Sequence, residues 1–208
     1  MDDLTTYLNY APAADRNKEP IWKELCQILE PDYKVLEVGA GSGQHALFFK
    51  SSMPELHWQC ADQDEYLVPL KLNLNTLAPG QFPEPLVLDV ESSSQKAEAA
   101  GKGPYDAVYS ANTFHIMSWA ACEQFFQFVA QVVNKGGYFC LYGPFLYEDR
   151  QTVASNLQFD VWLKNRDPLS GVRRFNSVAA QLAEYGFKLI KDVDMPANNQ
   201  FLVFRKEP

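Results

Sequence analysis

Residues 35–43, VLEVGAGSG, decide the fold of this chain. The stretch joins a short apolar run to three glycines at alternating positions, Gly39, Gly41 and Gly43. The apolar run predicts a buried β-strand. The glycines allow a tight turn and let a ligand lie against the backbone, because they have no Cβ. A helix predicted from about residue 44 to 50 would then direct its N-terminal amides toward that ligand.

The residues around the glycines restrict the ligands that this turn can bind. A P-loop requires a lysine after its last glycine, but Gln44 follows Gly43, so that class is excluded. Residues 41–46, GSGQHA, do satisfy the dinucleotide pattern GxGxxA. However, Glu37 lies two residues before the first glycine, on the same side of the strand end as the turn. A carboxylate there disfavours a pyrophosphate and favours an ammonium or sulfonium group.

Residues 37–43, EVGAGSG, resemble the first motif of the class I methyltransferases that use S-adenosylmethionine (SAM). SAM carries an ammonium and a sulfonium group and has no phosphate. The resemblance implies that Glu37 holds the methionine ammonium, directly or through water, and that the glycine turn lies along the methionine part. The cofactor contacts expected in this turn are Gly39, Ala40, Gly41, Ser42, Gly43 and His45.

Acids at two further strand ends suit a nucleoside. Asp62 ends the strand predicted over residues 56–61, roughly 20 residues after the first glycine, as expected for a ribose-binding acid. Asp64 competes for this role, but it is better placed to cap the next helix, and Gln63 between them is a further cofactor contact. The resemblance also implies that Asp89, after a short third strand, accepts the adenine amino group and that the amide of Val90 serves a ring nitrogen. The alternative for Asp89 is a surface acid at a strand end.

The segment after the fourth predicted strand supplies the catalytic candidates. Ligands of open α/β sheets lie beyond the carboxyl ends of the strands, where Asn112, Thr113 and His115 fall. The resemblance implies that Asn112 closes the cofactor pocket. His115 can accept a proton near neutral pH, although a structural hydrogen-bonding role is the alternative. Tyr142, at the end of the fifth predicted strand, is the second candidate near the transferring methyl group.

Two segments are expected to cover the bound molecules, the first over the cofactor and the second over the substrate. Residues 1–18 form an N-terminal segment or lid ahead of a helix predicted from Pro20 to Pro31, and residues 145–175 form an insertion after the fifth strand. The alternatives are a solvated cap and a surface helix with a solvated face. The substrate-pocket candidates are Arg16, Asn17, Asn156, Phe159, Asp160, Trp162, Arg166 and Arg173.

Residues 1–208 are predicted to form a single α/β domain. It has a Rossmann-like, seven-stranded, mostly parallel sheet with an antiparallel last strand and helices on both faces. The closing hairpin, strands over residues 187–193 and 201–205, is what the methyltransferase resemblance implies, whereas a plain NAD-binding Rossmann domain would not end this way. More narrowly, APAADRNKEPI, FDxWLxxRDPxxGxR and MPANN resemble a methyltransferase-like family whose substrate is uncharacterised.

Composition restricts the partners. The net charge of −8 and pI near 4.9 argue against a nucleic-acid backbone as partner. The N-terminus lacks a signal pattern and no apolar run is long enough to span a membrane, so we expect a cytoplasmic protein. The four cysteines lie far apart in apolar segments and are expected to be buried reduced thiols, with no metal site or disulfide; they are Cys26, Cys60, Cys122 and Cys140.

The expected function is methyl transfer from SAM to an acceptor, most simply a small molecule and otherwise a protein side chain. Where some methyltransferases have an Asn-Pro-Pro-Tyr run, residues 111–114 read ANTF, which argues against an amide or base nitrogen as acceptor. An NAD(P)-dependent oxidoreductase is the enzymatic alternative, supported by GxGxxA and Asp62. A non-catalytic SAM-binding scaffold is the other. The acceptor atom and the oligomeric state stay open.

Overall fold

The structure, a computed structural model, describes residues 7–150 and 152–208, so residues 1–6 of the predicted N-terminal lid lie outside the described residues. The strands are β1 Lys34–Val38, β2 His57–Asp62, β3 Leu86–Val87, β4 Tyr105–Ala111, β5 Val133–Gly143, β6 Phe145–Leu146, β7 Arg173–Arg174, β8 Phe187–Met195 and β9 Asn199–Lys206. The helices are α1 Pro12–Leu25, α2 Gln44–Ser52, α3 Asp64–Leu77, α4 Ser93–Lys102, α5 Trp119–Val132, α6 Ala154–Arg166 and α7 Phe175–Glu184. A single 3-10 turn, Pro196–Asn198, joins β8 to β9.

The main sheet has seven strands in the order β3-β2-β1-β4-β5-β9-β8. Strands β1 to β5 are parallel, whereas β9 runs antiparallel to both of its neighbours, β5 and β8. This confirms the predicted Rossmann-like sheet. The chain order reverses at β1, which lies between β2 and β4, and ligands of such sheets bind outside the carboxyl ends of the strands at that point.

Successive residues of β1 face opposite sides of the sheet and enter separate hydrophobic clusters. Leu36 packs into a cluster that contains Phe125 of α5 and Val178 of α7. Val35 packs into a second cluster with Ile21 of α1 and with apolar side chains of α2 and α3. Both faces of a parallel sheet must be covered in this way, which explains the helices on both sides and the continuous apolar run of β1.

The first helix is longer toward its N-terminus than the sequence predicts. It begins at Pro12, a residue that suits the first turn because its missing N–H is not needed there, and Pro20 lies inside it. The buried residues Asn17, Ile21 and Leu25 recur at a spacing of four, so one buried stripe extends through the predicted loop. The helix therefore carries Arg16 and Asn17 of the predicted lid, and it ends well before the predicted limit at Pro31.

Three other local predictions differ from the structure. Asp64 is predicted to cap α3, but it is the first residue of that helix, and Gln63 holds the capping position without a side-chain hydrogen bond. Asp64 therefore acts on the helix only through its charge. The pattern of residues 119–134 predicts a helix that Lys135-Gly136-Gly137 ends, but α5 ends at Val132 and β5 starts at once. Gly136, with φ +77°, therefore lies inside β5, at a shift in its pairing with β4. All four cysteines are free, but Cys26 is only partly buried because it lies just after α1.

Two further groups of features are missing from the described part of the chain. No helix within residues 7–150 and 152–208 is long and apolar enough to cross a membrane. The same residues contain no cluster of three or more histidine, cysteine or acidic side chains that could bind a metal ion.

Candidate cofactor and acceptor site

A cavity of about 520 Å³ opens beyond the carboxyl ends of β1, β2 and β4, and we call it the glycine cavity. The predicted cofactor contacts that line it are Gly39, Gly41, Asp62, Gln63, Val90 and Asn112. Thr113, which the sequence also places at this edge, lines the cavity, and lining residues that the sequence analysis did not identify include Ala11, Tyr66, Leu88, Ile116 and Met117. The apolar members could be assigned only after folding, because nothing in their local pattern distinguishes them from core residues.

The glycine turn shapes one wall of this cavity. Gly39 and Gly41 have positive φ angles of +80° and +56°, which side chains with a Cβ adopt only with strain. A Cβ on Gly39 would come within 2.8 Å of Thr113 Oγ1, so this glycine lets the loop after β4 approach. A Cβ on Gly41 would meet no atom within 4 Å. The backbone at Gly41 therefore borders open space that a ligand can occupy.

Asp62 connects the turn to the end of β2. Its carboxylate accepts hydrogen bonds from the amides of Gly41, at 2.6 Å, and Gln63, at 2.8 Å. Burial raises the pKa of Asp62, and the two amide donors counteract this shift. Each carboxylate oxygen has more than one acceptor site, so the group can still bind ribose hydroxyls.

Several predicted cofactor contacts lie behind this wall rather than in it. Ser42 Oγ donates to Gln44 Oε1 at 2.7 Å, and Ala40, Gly43 and His45 also do not line the cavity. Asp89 is half-buried between two lining residues, and its carboxylate accepts the Glu91 amide at 2.9 Å. Direct cofactor contacts by these residues stay predictions.

Glu37 is fully buried and belongs to a polar network behind the turn. Its carboxylate accepts a hydrogen bond from Trp58 Nε1 at 2.8 Å and lies 3.9 Å from His45 Nδ1. His45 Nε2 is in turn 2.7 Å from Asn17 Oδ1 on α1. Burial raises the pKa of Glu37 to about 8 and lowers the pKa of His45 to about 4, so both groups are mostly neutral at pH 7. Glu37 does not line the glycine cavity, so contact with a ligand ammonium stays a prediction.

A second cavity, of about 590 Å³, adjoins the first and is called the histidine cavity. Asn112 and Ile116 line both cavities, so the two spaces meet there. Of the predicted catalytic and substrate residues, the structure brings six together in this cavity: Arg16, Asn17, His115, Tyr142, Asn156 and Phe159. Asn199 and the turn that follows β8 complete it, a contribution that the sequence analysis missed.

The loop after β4 holds Asn112 and His115 at the junction. Asn112 has φ +58°, a left-handed conformation that asparagine tolerates better than most residues, and its amide donates to the Tyr142 carbonyl at 2.8 Å. His115 is 8% exposed, and its ring lies edge-on to Phe159. Burial lowers the pKa of His115 to about 4, helped by Arg173 and Arg166, so the imidazole is neutral near pH 7.

The end of the insertion fixes this loop through four consecutive carbonyl groups, those of residues 114–117. Gly171 N donates to the His115 carbonyl at 2.9 Å, and Ser170 Oγ donates to the Ile116 carbonyl at 2.7 Å. The Arg173 guanidinium donates to the Phe114 carbonyl at 2.8 Å and also to the Met117 carbonyl. Arg173, predicted to bind substrate, therefore binds the backbone of the loop that carries His115 and holds it in position.

The other insertion residues predicted to bind substrate do not line the histidine cavity. Asp160 accepts the Val172 amide at 2.9 Å and pairs with Lys164 at 2.6 Å, which links α6 to the end of the insertion. Trp162 is 53% exposed, stacks on the Phe159 ring and has the Arg166 guanidinium over its own ring.

The chain before α1 is fastened beside the glycine cavity. Asn73 of α3 accepts the Leu8 amide at 2.9 Å and donates to the carbonyls of Leu8, at 2.9 Å, and Ser42, at 2.8 Å. The Ala11 amide donates to Gln44 Oε1 at 2.7 Å. Residues 7–11, which we call the strap, therefore cross from α3 to the start of α2.

Solved structures of methyltransferases share this architecture. An O-methyltransferase family protein from Burkholderia thailandensis matches with a TM-score of 0.80 and 14% identity over 94% of this chain and 56% of that one. Human N-acetylserotonin methyltransferase in complex with SAM gives a TM-score of 0.75 and 16% identity over 94% of this chain and 53% of that one. The O-methyltransferase family 2 protein from Planctomyces limnophilus, in complex with apigenin, gives 0.76 and 13% over 93% and 60%.

At these identities the likeness establishes the fold, which is that of the SAM-dependent methyltransferases. The chain spans only 53% to 60% of the length of these three structures. A family model gives a narrower assignment. Residues 8–206 match the model described as "Protein of unknown function (DUF938)", and the chain belongs to that family.

Proposed function

We propose that this protein transfers a methyl group from SAM to a small-molecule acceptor. One observation carries the proposal: the glycine cavity and the histidine cavity meet at Asn112 and Ile116. A donor in the first cavity and an acceptor in the second would therefore face each other across these two residues. Such alignment is the main contribution a protein can make to displacement at an already reactive sulfonium.

The residues of the glycine cavity fit the proposed cofactor. Asp62 would bind the ribose hydroxyls, Gly41 would allow the methionine part to approach the backbone, and Leu88 and Val90 would pack against the adenine. Bound there, SAM supplies an activated methyl group on sulfur. Asp89 and the Val90 amide keep their proposed roles at the adenine edge, and neutral Glu37 supports the turn from behind through Trp58.

His115 is the proposed base for an acceptor that must lose a proton. It is neutral near pH 7, lies at the junction side of its cavity and is held by the insertion. Tyr142 is the second candidate; burial raises its pKa, so its hydroxyl stays protonated and would position the acceptor by hydrogen bonding. The comparisons support a small molecule as acceptor, since one similar structure contains apigenin.

The two alternatives receive less support. A nicotinamide cofactor would need its pyrophosphate against the turn, and the antiparallel β9 is not typical of a plain NAD-binding domain. A SAM-binding scaffold would not need a second cavity with a neutral histidine beside the cofactor. Both alternatives stay testable by ligand binding and turnover.

The proposal is tested by calorimetric titration of the protein with SAM, S-adenosylhomocysteine and NADH. Asp62→Asn keeps the side-chain volume but removes charge-assisted hydrogen bonds, so we expect about ten- to hundredfold weaker binding of the first two ligands. Asp64→Asn is the matched control, since Asp64 is exposed at the start of α3 and does not line the cavity.

Binding of both adenosyl ligands that is weakened by Asp62→Asn alone supports the cofactor assignment. Binding of NADH alone would overturn it. Turnover is then measured with labelled SAM and a set of hydroxyl-bearing small molecules. Cofactor binding without transfer to any acceptor would favour the scaffold.

A further inference from the structure

We propose that the acceptor is a small organic anion whose carboxylate is bound by Arg16, with a flat apolar body against Phe159 and Ile116. This inference rests on the proposed function and names its substrate class. It starts from the residues that line the histidine cavity. Among the described residues of that lining, Arg16 is the only formally charged side chain, and none is an aspartate or a glutamate.

Arg16 is positioned to bind a ligand from outside the chain. It is exposed on α1 at the cavity and has no hydrogen bond or ion pair with any residue of the described ranges, 7–150 and 152–208. The neighbouring acid on the helix, Asp15, is already paired with Lys18 at 2.6 Å. A guanidinium can bind a carboxylate through two parallel hydrogen bonds, which gives orientation as well as affinity.

Both candidate catalytic side chains are also influenced by nearby cationic groups. The charged groups that act on His115 are Arg173 and Arg166, and the one that acts on Tyr142 is Arg16. This local bias is opposite to the net charge of −8 of the whole chain. A positive field does not favour a sulfonium donor, so it serves the acceptor if that acceptor is an anion.

The rest of the lining suits a ring with polar substituents. Phe159, Ile116 and Pro144 provide apolar area, while Asn17, Asn112 and Asn199 provide amide groups. The cavity, at about 590 Å³, is within the range of small-molecule sites. A hydroxyl next to neutral His115 would complete an acceptor that has an anion at one end and the reacting oxygen elsewhere on the ring.

The test uses two probes of nearly equal shape, 4-hydroxybenzoate and 4-hydroxybenzamide. Calorimetric titration into protein saturated with S-adenosylhomocysteine compares the carboxylate with its neutral amide. We expect the acid to bind about tenfold more tightly, with a difference that shrinks at high salt. Arg16→Gln should remove this preference by weakening only the acid. Arg174→Gln is the matched control, because Arg174 is exposed and lies outside the histidine cavity, and its one ion-pair partner among the described residues is the Glu148 carboxylate, at 4.0 Å.

Equal affinities for the two probes, or no binding of the acid at millimolar concentration, would overturn the anion inference. A preference that persists in Arg16→Gln would also overturn it. Since S-adenosylhomocysteine is titrated into the same samples first, these outcomes leave the proposed function intact. Failure of that first titration would instead overturn the proposed function and this inference together.

Discussion

The glycine cavity and the histidine cavity lie side by side but are built in different ways. The first is formed largely by residues at or just after the ends of β1, β2 and β4, together with side chains of α3 and α5. The second takes residues from α1, the loop after β4, the end of β5, α6 and the turn after β8. The lining of the glycine cavity therefore depends largely on local sequence at the strand ends, whereas the lining of the histidine cavity depends on how distant segments of the chain pack together.

The largest expected effect is a loss of methyl transfer without a change in cofactor binding. For a hydroxyl acceptor, His115→Gln should lower the rate of methyl transfer about a hundred- to ten-thousandfold, the usual contribution of a positioned base. S-adenosylhomocysteine binding should not change, because His115 lines only the histidine cavity. His57→Gln, at the exposed start of β2, is the control. Single-turnover transfer and calorimetry measure the two quantities.

The pH profile adds a second criterion for His115. Its pKa is lowered to about 4, mainly by burial, so the basic form persists as the pH falls from 8 to 6. The rate should not decline over this range because of His115. A fall with an apparent pKa near 6.5 that disappears in His115→Gln would contradict the buried, neutral assignment.

The next largest effect is expected on ligand binding in the glycine cavity. Gly39→Ala introduces a Cβ 2.8 Å from Thr113 Oγ1 at a φ of +80°, so the turn must move. We expect cofactor binding to weaken about ten- to hundredfold, since such backbone strain costs about 1–3 kcal/mol. Gly101→Ala is the matched control because a Cβ there, in α4, meets nothing within 4 Å. Equal cofactor affinity in Gly39→Ala and wild type would show that the turn does not bind the ligand.

The same contrast explains what could be predicted from sequence. The glycine turn, Asp62 and Val90 follow strands with clear apolar patterns, so strand order alone brings them to one edge. The seven-stranded sheet with its antiparallel β9 was predictable for the same reason. His115 was identified because it lies only a few residues past the end of β4.

The lining of the histidine cavity was harder to predict, because it depends on contacts between segments that lie far apart in the sequence. Arg173 and Asp160 have the chemistry of substrate ligands, but they bind backbone groups that only the folded chain brings near. The start of α1 was missed because Pro20 appeared to begin the helix, whereas Asn17 extends the buried stripe toward the N-terminus. The contribution of Asn199 arises from the closing hairpin and has no local signal.

A third prediction concerns the buried network that joins the two regions from behind. The pKa of Glu37 is raised to about 8, above its ordinary value of 4.5, mainly by burial. Its stabilising contribution is therefore complete below the unfolded value and is lost as the pH rises toward 8. Between pH 6.5 and 8 we expect wild type to lose about 2 kcal/mol of stability relative to Glu37→Gln. Urea unfolding at several pH values measures this difference.

The chosen window avoids an opposing effect from the histidines. The pKa values of His45 and His115 are lowered to about 4, so their contributions are present above the ordinary value of 6.5 and are lost only at lower pH. Glu98→Gln, an exposed change on α4, should follow wild type. Parallel stability curves for wild type and Glu37→Gln would mean that Glu37 is ionised in the folded protein.

The smallest expected effect concerns the strap, which joins the helix of the histidine cavity to the wall of the glycine cavity. Asn73→Ala removes the hydrogen bonds to Leu8 and Ser42, while Ala11 at the end of the strap lines the glycine cavity. Without these hydrogen bonds, a bound ligand should dissociate about three- to tenfold faster. The association rate should change less, as is usual when contacts are altered. Displacement of S-adenosylhomocysteine in a stopped-flow instrument measures the rate.

Asn134→Ala is the matched control for this change, because it removes one side-chain hydrogen bond, to Asp106 at 2.8 Å, from residues that line neither cavity. It should leave the dissociation rate unaltered. If Asn73→Ala also leaves that rate unaltered while the variant remains folded, the strap does not retain the cofactor. Among the described residues of the N-terminal region, those that contribute to ligand binding would then be Ala13, Arg16 and Asn17, which line the histidine cavity.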